Sequence, residues 1–181
     1  ASLIPAAHEA WRIGGWLVAE ESLGVTGAGD VAVLTSPEDY PIAAGRKRAI
    51  TEKCRLISRT RIVVLPPGID LPRKTVAADE MVSFDGPVCR FSGRGIVGTF
   101  ANPLCTLAGY RAALSLAAAT ACVIGVDPSP LAEFTALPGR MATRWEGDLL
   151  IVDNANSGTN VATTLDAARY ARTLAGNGAL T

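Results

Sequence analysis

Short unbroken apolar runs alternate with stretches of helical period along the first third of the chain. Residues 5–13 (PAAHEAWRI) predict a helix that opens at Pro5 and stops at Gly14-Gly15. Residues 16–19 (WLVA) end sharply at Glu20-Glu21-Ser22, the pattern of a buried strand with a polar tip. After the turn-rich residues 24–30, residues 31–34 repeat that pattern, tipped by Thr35-Ser36-Pro37-Glu38-Asp39-Tyr40. A helix is expected over residues 41–58 and a third strand over 61–65. Strand, helix, strand in short units predicts an α/β fold, with a mostly parallel sheet flanked by helices.

The pattern then changes. Residues 75–100 fall into short alternating segments (TVAAD, MVSFD, VCRFS, GIVGTF) separated by turn residues, which predicts a small antiparallel β section added to the parallel sheet. Asn102 is placed to cap a long Ala- and Leu-rich helix, with Pro103 at its first position and Gly125 near its end. A short helix follows over 129–136. A Pro-Gly turn and Arg140 then lead into a strand over 141–145, the turn Gly147-Asp148 and a strand over 149–152. That strand runs into the polar stretch Asp153-Asn154-Ala155-Asn156-Ser157-Gly158-Thr159-Asn160. Residues 161–175 predict an amphipathic helix with Leu165, Ala168 and Leu174 on one stripe.

Composition narrows the classes. A chain of 181 residues, 49% hydrophobic and 19% charged, can bury a core. Its formal net charge of zero gives no field to draw nucleic acid or an acidic membrane surface. The longest apolar stretch, residues 112–126, is too short to span a bilayer. The four cysteines and the single His8 form no zinc motif and no disulfide framework; they read as small buried hydrophobes of a reducing cytoplasm. Starting on Ala1 rather than Met, the chain reads as a piece of a longer protein.

Two glycine patterns are decoys. Gly93-Arg94-Gly95-Ile96-Val97-Gly98 matches G-x-G-x-x-G but lies among expected antiparallel strands, the wrong context for a dinucleotide site. Residues 24–29 are not followed by Gly-Lys-Ser/Thr, so they form no phosphate loop. The polar tips carry more. If their strands are parallel, residues 20–22, 35–40 and 153–160 converge on one sheet edge, where ligands collect in α/β folds. Carboxylates there suit a hydrated magnesium ion beside a polyphosphate, and Arg140 and the Asn102 helix start could add phosphate and purine contacts. The competing reading of 153–160 is a solvated loop that caps the last helix.

Taken in order, Glu20-Glu21-Ser22, Val33-Leu34-Thr35-Ser36, Lys47-Arg48-Ala49-Ile50, Ala101-Asn102, Pro138-Gly139-Arg140 and the Asp153 run resemble the Mur ligase superfamily. These ATP-dependent carboxylate ligases include the peptidoglycan amino-acid ligases and folylpolyglutamate synthase. In them a strand ends in Glu-x-Ser, a second in Thr-Asn before an Asp-His, and a helix carries Lys-x-x-Ile. A later helix opens with His-Asn, and Gly-Arg precedes a strand and an Asp-rich hinge. The resemblance covers nearly the whole chain. It implies a P-loop NTPase-like central domain over residues 1–152 without its P-loop half, a hinge at 153–160, and the first helix of the C-terminal ligase domain at 161–181.

By the same resemblance Glu20 binds magnesium, and Lys47 is the lysine that many members carbamylate; these two are the implied catalytic pair. Asn102 faces adenine, Arg140 and Asp153 hold phosphate and ribose, and Asn156 joins them at the nucleotide. Two positions depart from the family: Tyr40 stands where a metal-binding His is expected, and Cys105 replaces a second Asn. The run DNANSGTN, the segment EESLGVTGAGDVAVLTS and the missing His look most like the archaeal coenzyme F(430) synthase branch. That implies ATP and Mg2+ as cofactors and a small-molecule carboxylate on a nickel tetrapyrrole as substrate. It also implies closure of a carbocyclic ring, and the remaining N- and C-terminal parts of the same protein as partners. Three alternatives stay open: an amide ligase joining an amino acid to a carboxylate, an oxidoreductase built on the Gly93 pattern, and a non-catalytic nucleotide-binding module. The oxidoreductase needs strand, turn and helix around Gly93, so a hairpin there removes it.

Overall fold

A computed structural model of the chain describes residues 3–22, 25–72, 75–155 and 161–176. Two compact units emerge: Ala1–Ala32 with Glu38–Val63, and Val33–Pro37 with Val64–Thr181. The fold is mixed α/β, as expected, with a three-stranded parallel sheet, flanking helices and separate small antiparallel sheets. No helix among the described residues is long and apolar enough to cross a membrane.

In the first unit, α1 (Leu3–Arg12) stands where the helical period placed it and ends at Gly14, whose φ of 64° only glycine adopts freely. Residues 16–19 correct the reading of a buried strand. They form none: Trp16 is 76% and Val18 94% exposed. An apolar run becomes a strand only where a neighbouring edge takes up its backbone N–H and C=O groups. Strand β1 (Val31–Val33) forms as expected. The helix expected over 41–58 is corrected too. Its first half is a hairpin of β2 (Pro41–Ile42) and β3 (Lys47–Arg48), and only α2 (Ala49–Ile57) is helical. Ala43, Ala44 and Gly45 all take left-handed φ, at 52°, 54° and 81°, which turns the chain back before a helix can start. The start of α2 is capped from outside by Asp39, whose Oδ1 accepts the Ile50 N–H at 3.2 Å. Strand β4 (Ile62–Leu65) follows.

In the second unit β5 (Val76–Ala77) pairs in parallel with β4, Val64 opposite Val76 and Leu65 opposite Ala77. The sheet order is β1-β4-β5, so the first of the alternating segments extends the parallel sheet. One turn of helix, α3 (Ala78–Met81), leads into the antiparallel meander β6 (Val82–Asp85), β7 (Val88–Gly93) and β8 (Ile96–Ala101). Alternation sets its two faces. Cys89 faces Phe84 and Phe100 on the packed side, while Ser83, Arg90 and Thr99 line up on the exposed side. A 3-10 turn (Pro103–Thr106) precedes α4 (Ala108–Ile124), which starts later than the expected Pro103 and closes on the left-handed Gly125 at φ 80°. Ala118, Ala119, Cys122 and Val123 of α4 are buried, and α4 packs on β6 and β7.

The Gly93 pattern is a hairpin: Gly93 pairs with Ile96 across the turn Arg94-Gly95. Two of its glycines make room for neighbours. A Cβ on Gly93 would lie 1.8 Å from the Met81 methyl, and one on Gly98 would lie 2.7 Å from the Phe91 ring. The motif is therefore explained by packing, and the oxidoreductase reading falls with it. Cys89, Cys105 and Cys122 are each fully buried, and burial with the nearby Cys105 and Cys122 pushes the Cys89 thiol up to about 12. They pack as small hydrophobes.

The chain ends in a short 3-10 helix (Ser129–Glu133), the hairpin β9 (Ala142–Glu146) and β10 (Leu149–Asp153), and α5 (Val161–Ala175). The turn at Gly147-Asp148 is as read, with Glu146 opposite Leu149. α5 packs on β10, but its expected stripe is not the buried one. Leu165 and Leu174 are 51% and 38% exposed, while Tyr170 and Ala171 are buried.

Candidate functional site

The expected convergence of polar tips rests on parallel strands, and the sheets change it. Glu20 follows no strand. Asp153 ends β10, which pairs with β9 alone in a separate antiparallel hairpin. Only residues 35–40 follow a strand of the parallel sheet. The site residues are therefore described unit by unit; Asn156 lies outside the described residues.

In the second unit Asn102 and Arg140 are linked by way of Phe134 and a residue the sequence reading missed, Tyr110, and Asp153 bonds the same turn as Arg140. Asn102 is 1% exposed. Its Oδ1 accepts the Leu104 N–H at 2.9 Å, capping the 3-10 turn. Its Nδ2 donates to the carbonyls of Leu131 at 2.9 Å and Phe134 at 2.8 Å. So its side-chain amide is fully engaged by the protein: it fixes residues 131–134 and presents no free edge to adenine. The ring of Phe134 sits 6.0 Å from that of Tyr110, in the first turn of α4. The Tyr110 hydroxyl accepts the Leu137 N–H at 3.1 Å and donates to the Arg140 carbonyl at 2.6 Å.

Asp153 grips the same turn from the other side. Its Oδ2 accepts the Gly139 N–H at 3.0 Å and its Oδ1 accepts the Ala155 N–H at 3.2 Å. Arg140 N–H closes the turn on the Leu137 carbonyl at 2.9 Å. The next residue, Met141, is 8% exposed with φ 61°, a left-handed backbone that a residue with a Cβ rarely takes. Arg140 itself is exposed. The turn thus has a fixed backbone and carries a cation at its surface, which suits an anionic ligand.

In the first unit Glu20 is exposed, and its neighbour Glu21 shapes the following loop by accepting the Thr26 N–H and hydroxyl, each at 2.9 Å. Lys47 lies on β3, one residue ahead of α2, instead of within a helix as expected. Its Nζ stands 3.2 Å from Glu52, which also meets Arg55 at 2.8 Å. Arg55 first and Lys47 second hold the Glu52 carboxyl below the usual range. Asp39 meets Arg48 at 2.7 Å. Desolvation raises its pKa, and the Arg48 and Ile50 hydrogen bonds outweigh that, leaving it lowered. Lys53 Nζ lies 5.7 Å from the centre of the Tyr40 ring. A cavity of about 20 Å³ between Ser22, Ile42, Glu52 and Lys53 has room for one water.

Among the described residues no group of three or more His, Cys, Asp or Glu could hold a metal ion. A magnesium ion held chiefly by phosphate oxygens and water needs only one or two carboxylates, and the exposed Glu20 fits that smaller role.

The signal for Tyr110 was present in the sequence. It is the one hydroxylated aromatic in the first turn of an Ala- and Leu-rich helix, and a Tyr at such a place tends to use both its ring and its hydroxyl. What the sequence does not hold is the partner, 27 to 30 residues away.

The chain is 26% identical to the coenzyme F(430) synthetase of Methanosarcina acetivorans over 196 aligned residues, 86% of this chain and 41% of that protein. It spans less than half the length of the relative it matches. No family model matches the chain, and no solved structure matches it significantly.

Proposed function

We propose that this chain is part of an ATP-dependent carboxylate-activating ligase, a cytoplasmic Mur-type enzyme that closes the carbocyclic ring of a nickel tetrapyrrole. The observation that carries this reading is the similarity to a coenzyme F(430) synthetase along 86% of the chain. The fixed, cation-bearing turn at Arg140 supports it. Residues 1–152 then belong to the central nucleotide-binding domain, 153–160 to a hinge and 161–181 to the start of the next domain. No Gly-Lys-Ser/Thr loop lies within these 181 residues, so the phosphate loop comes from another part of the same protein.

The chemistry follows from the reactivity of carboxylates. A carboxylate is a poor electrophile; transfer of the terminal phosphoryl group of ATP to its oxygen gives an acyl phosphate and ADP. A nucleophile then attacks the carbonyl carbon, and phosphate leaves. In the tetrapyrrole the nucleophile is a carbon of the same molecule, so no second substrate is used. Arg140, held by Tyr110 and Asp153, offsets charge on the phosphates, with Asn156 in the same polar stretch. Asn102 acts behind them, fixing the 131–134 segment. Glu20 would hold Mg2+, whose chemistry is to neutralise phosphate charge. Lys47 contributes as a cation or, once carbamylated, as a carboxylate beside Glu52; two such anions at close range call for a shared cation.

The test uses the full-length protein, with phosphate release from ATP as the readout. Release that depends on a nickel tetrapyrrole carboxylate and not on amino acids is the expected result. Stimulation by amino acids alone makes the enzyme an amide ligase. Nucleotide binding with no release under either condition makes it a non-catalytic module.

A further inference from the structure

We infer that Tyr110 is a positioning residue for Arg140, holding the 137–140 turn in the one backbone arrangement that presents the guanidinium to a nucleotide phosphate; this rests on the nucleotide reading proposed above. The backbone N–H groups of the turn are accounted for one by one. Pro138 has no N–H. The N–H of Leu137 goes to the Tyr110 hydroxyl, that of Gly139 to Asp153 and that of Arg140 back to the Leu137 carbonyl. The Arg140 carbonyl receives the Tyr110 proton at 2.6 Å. Tyr110 therefore touches both ends of the turn with one oxygen, accepting at one end and donating at the other, which a hydroxyl can do and a phenyl ring cannot.

The hydroxyl is itself held in place. Its ring rests against Phe134, tilted 55° at 6.0 Å, and the Phe134 carbonyl is fixed by Asn102. Just past the turn, Met141 is buried and holds a left-handed backbone at φ 61°. Two side chains from two segments, Tyr110 and Asp153, thus hold the backbone of the 137–140 turn, while the Arg140 guanidinium has no partner among the described residues. A fold that only needed to close a surface turn has no use for so many restraints around an unpartnered cation. A phosphate site does, because a backbone already in place leaves only the Arg140 side chain to be ordered on binding. The phosphate chemistry is that of a nucleoside di- or triphosphate.

The experiment measures ADP affinity by calorimetry in the full-length protein for wild type, Tyr110→Phe, Arg140→Ala and the double variant. Y110F is expected to weaken ADP about tenfold, R140A to weaken it more, and the double variant to match R140A, because Tyr110 acts through Arg140. In Y110F, amide exchange at Leu137 should accelerate while the amides of α4 stay protected. Phe134→Leu, which keeps the hydroxyl but loosens the seat of the ring, should weaken ADP in the same direction and by less. It replaces Y110F if that variant fails to fold. A Y110F protein that binds ADP as wild type does, or a loss that adds to that of R140A, overturns the inference and leaves the proposed role of Arg140 standing. R140A binding as tightly as wild type, or a wild type that does not bind ADP, removes that role and this inference together.

Discussion

The Lys47 region and the Arg140 region both gather cations and carboxylates, yet they are built in opposite ways. Around Lys47 the contacts run mostly between side chains at the surface, Lys47 and Arg55 to Glu52 and Arg48 to Asp39, with Asp39 alone also reaching backbone, at the Ile50 N–H. Around Arg140 they run from side chains to backbone: Asn102 to residues 104, 131 and 134, Tyr110 to 137 and 140, Asp153 to 139 and 155. Surface ion pairs add little stability and yield to salt. Side-chain bonds to a loop's backbone fix its shape. The first arrangement leaves its charged groups adjustable; the second holds a loop still so that one charge can be offered outward.

The largest effect should come from cutting the second arrangement at its buried end. Asn102→Ala leaves the buried Leu104 N–H and the part-buried Leu131 and Phe134 carbonyls without that partner, a loss of about 2–3 kcal/mol in urea unfolding. A near-neutral result would mean that the 131–134 segment is held by something other than this amide. Asp153→Asn comes next. One of its two acceptor oxygens becomes an NH2 facing an N–H, so stability should fall by about 1–2 kcal/mol and exchange should quicken at Gly139 or Ala155. Loss at neither amide would break the contrast.

The smallest effect belongs to the ion pairs and is best seen through pH. The folded-state pKa of Glu52 lies below that of an ordinary glutamate, so its contribution is present above the ordinary value and disappears as pH falls through the lowered one. Melting of wild type should drop more steeply than that of Glu52→Gln as pH is taken from about 5 to about 3. Added salt should narrow the gap. Identical curves for the two proteins would show that the Lys47 side makes no contribution at all.

How far these regions could be read in advance depended on the range of the interaction. The β9–β10 hairpin was legible because Gly147-Asp148 is a local turn signal between two strand-like runs. The Gly93 pattern could be set aside because its neighbours alternate. Residues 43–45 could not be read, since two alanines give no hint of left-handed backbone and look like helix. Residues 16–19 show that an apolar run specifies burial only if a partner strand is available. On α5, period placed a helix at the right bounds, but the residues it buries are Tyr170 and Ala171 and not Leu165. At the site, Arg140 and Asp153 were both named as nucleotide residues, yet their link through the Gly139 N–H and through Tyr110 joins segments too far apart for a local pattern to record. Asn102 was read as the cap of the long helix and instead caps the 3-10 turn ahead of it; its other partners were invisible for the same reason.

The two crowded glycines of the meander constrain its history as well as its shape. Gly98 sits beneath the Phe91 ring, so it can gain a methyl only if that ring shifts or shrinks, whereas at Gly93 the atom in the way is the tip of the flexible Met81 side chain, which can swing aside. Substitution at Gly98 is therefore tied to its neighbour more tightly than substitution at Gly93. A glycine can thus be held in a sequence with no ligand to preserve it, guarded by the volume of the ring beside it.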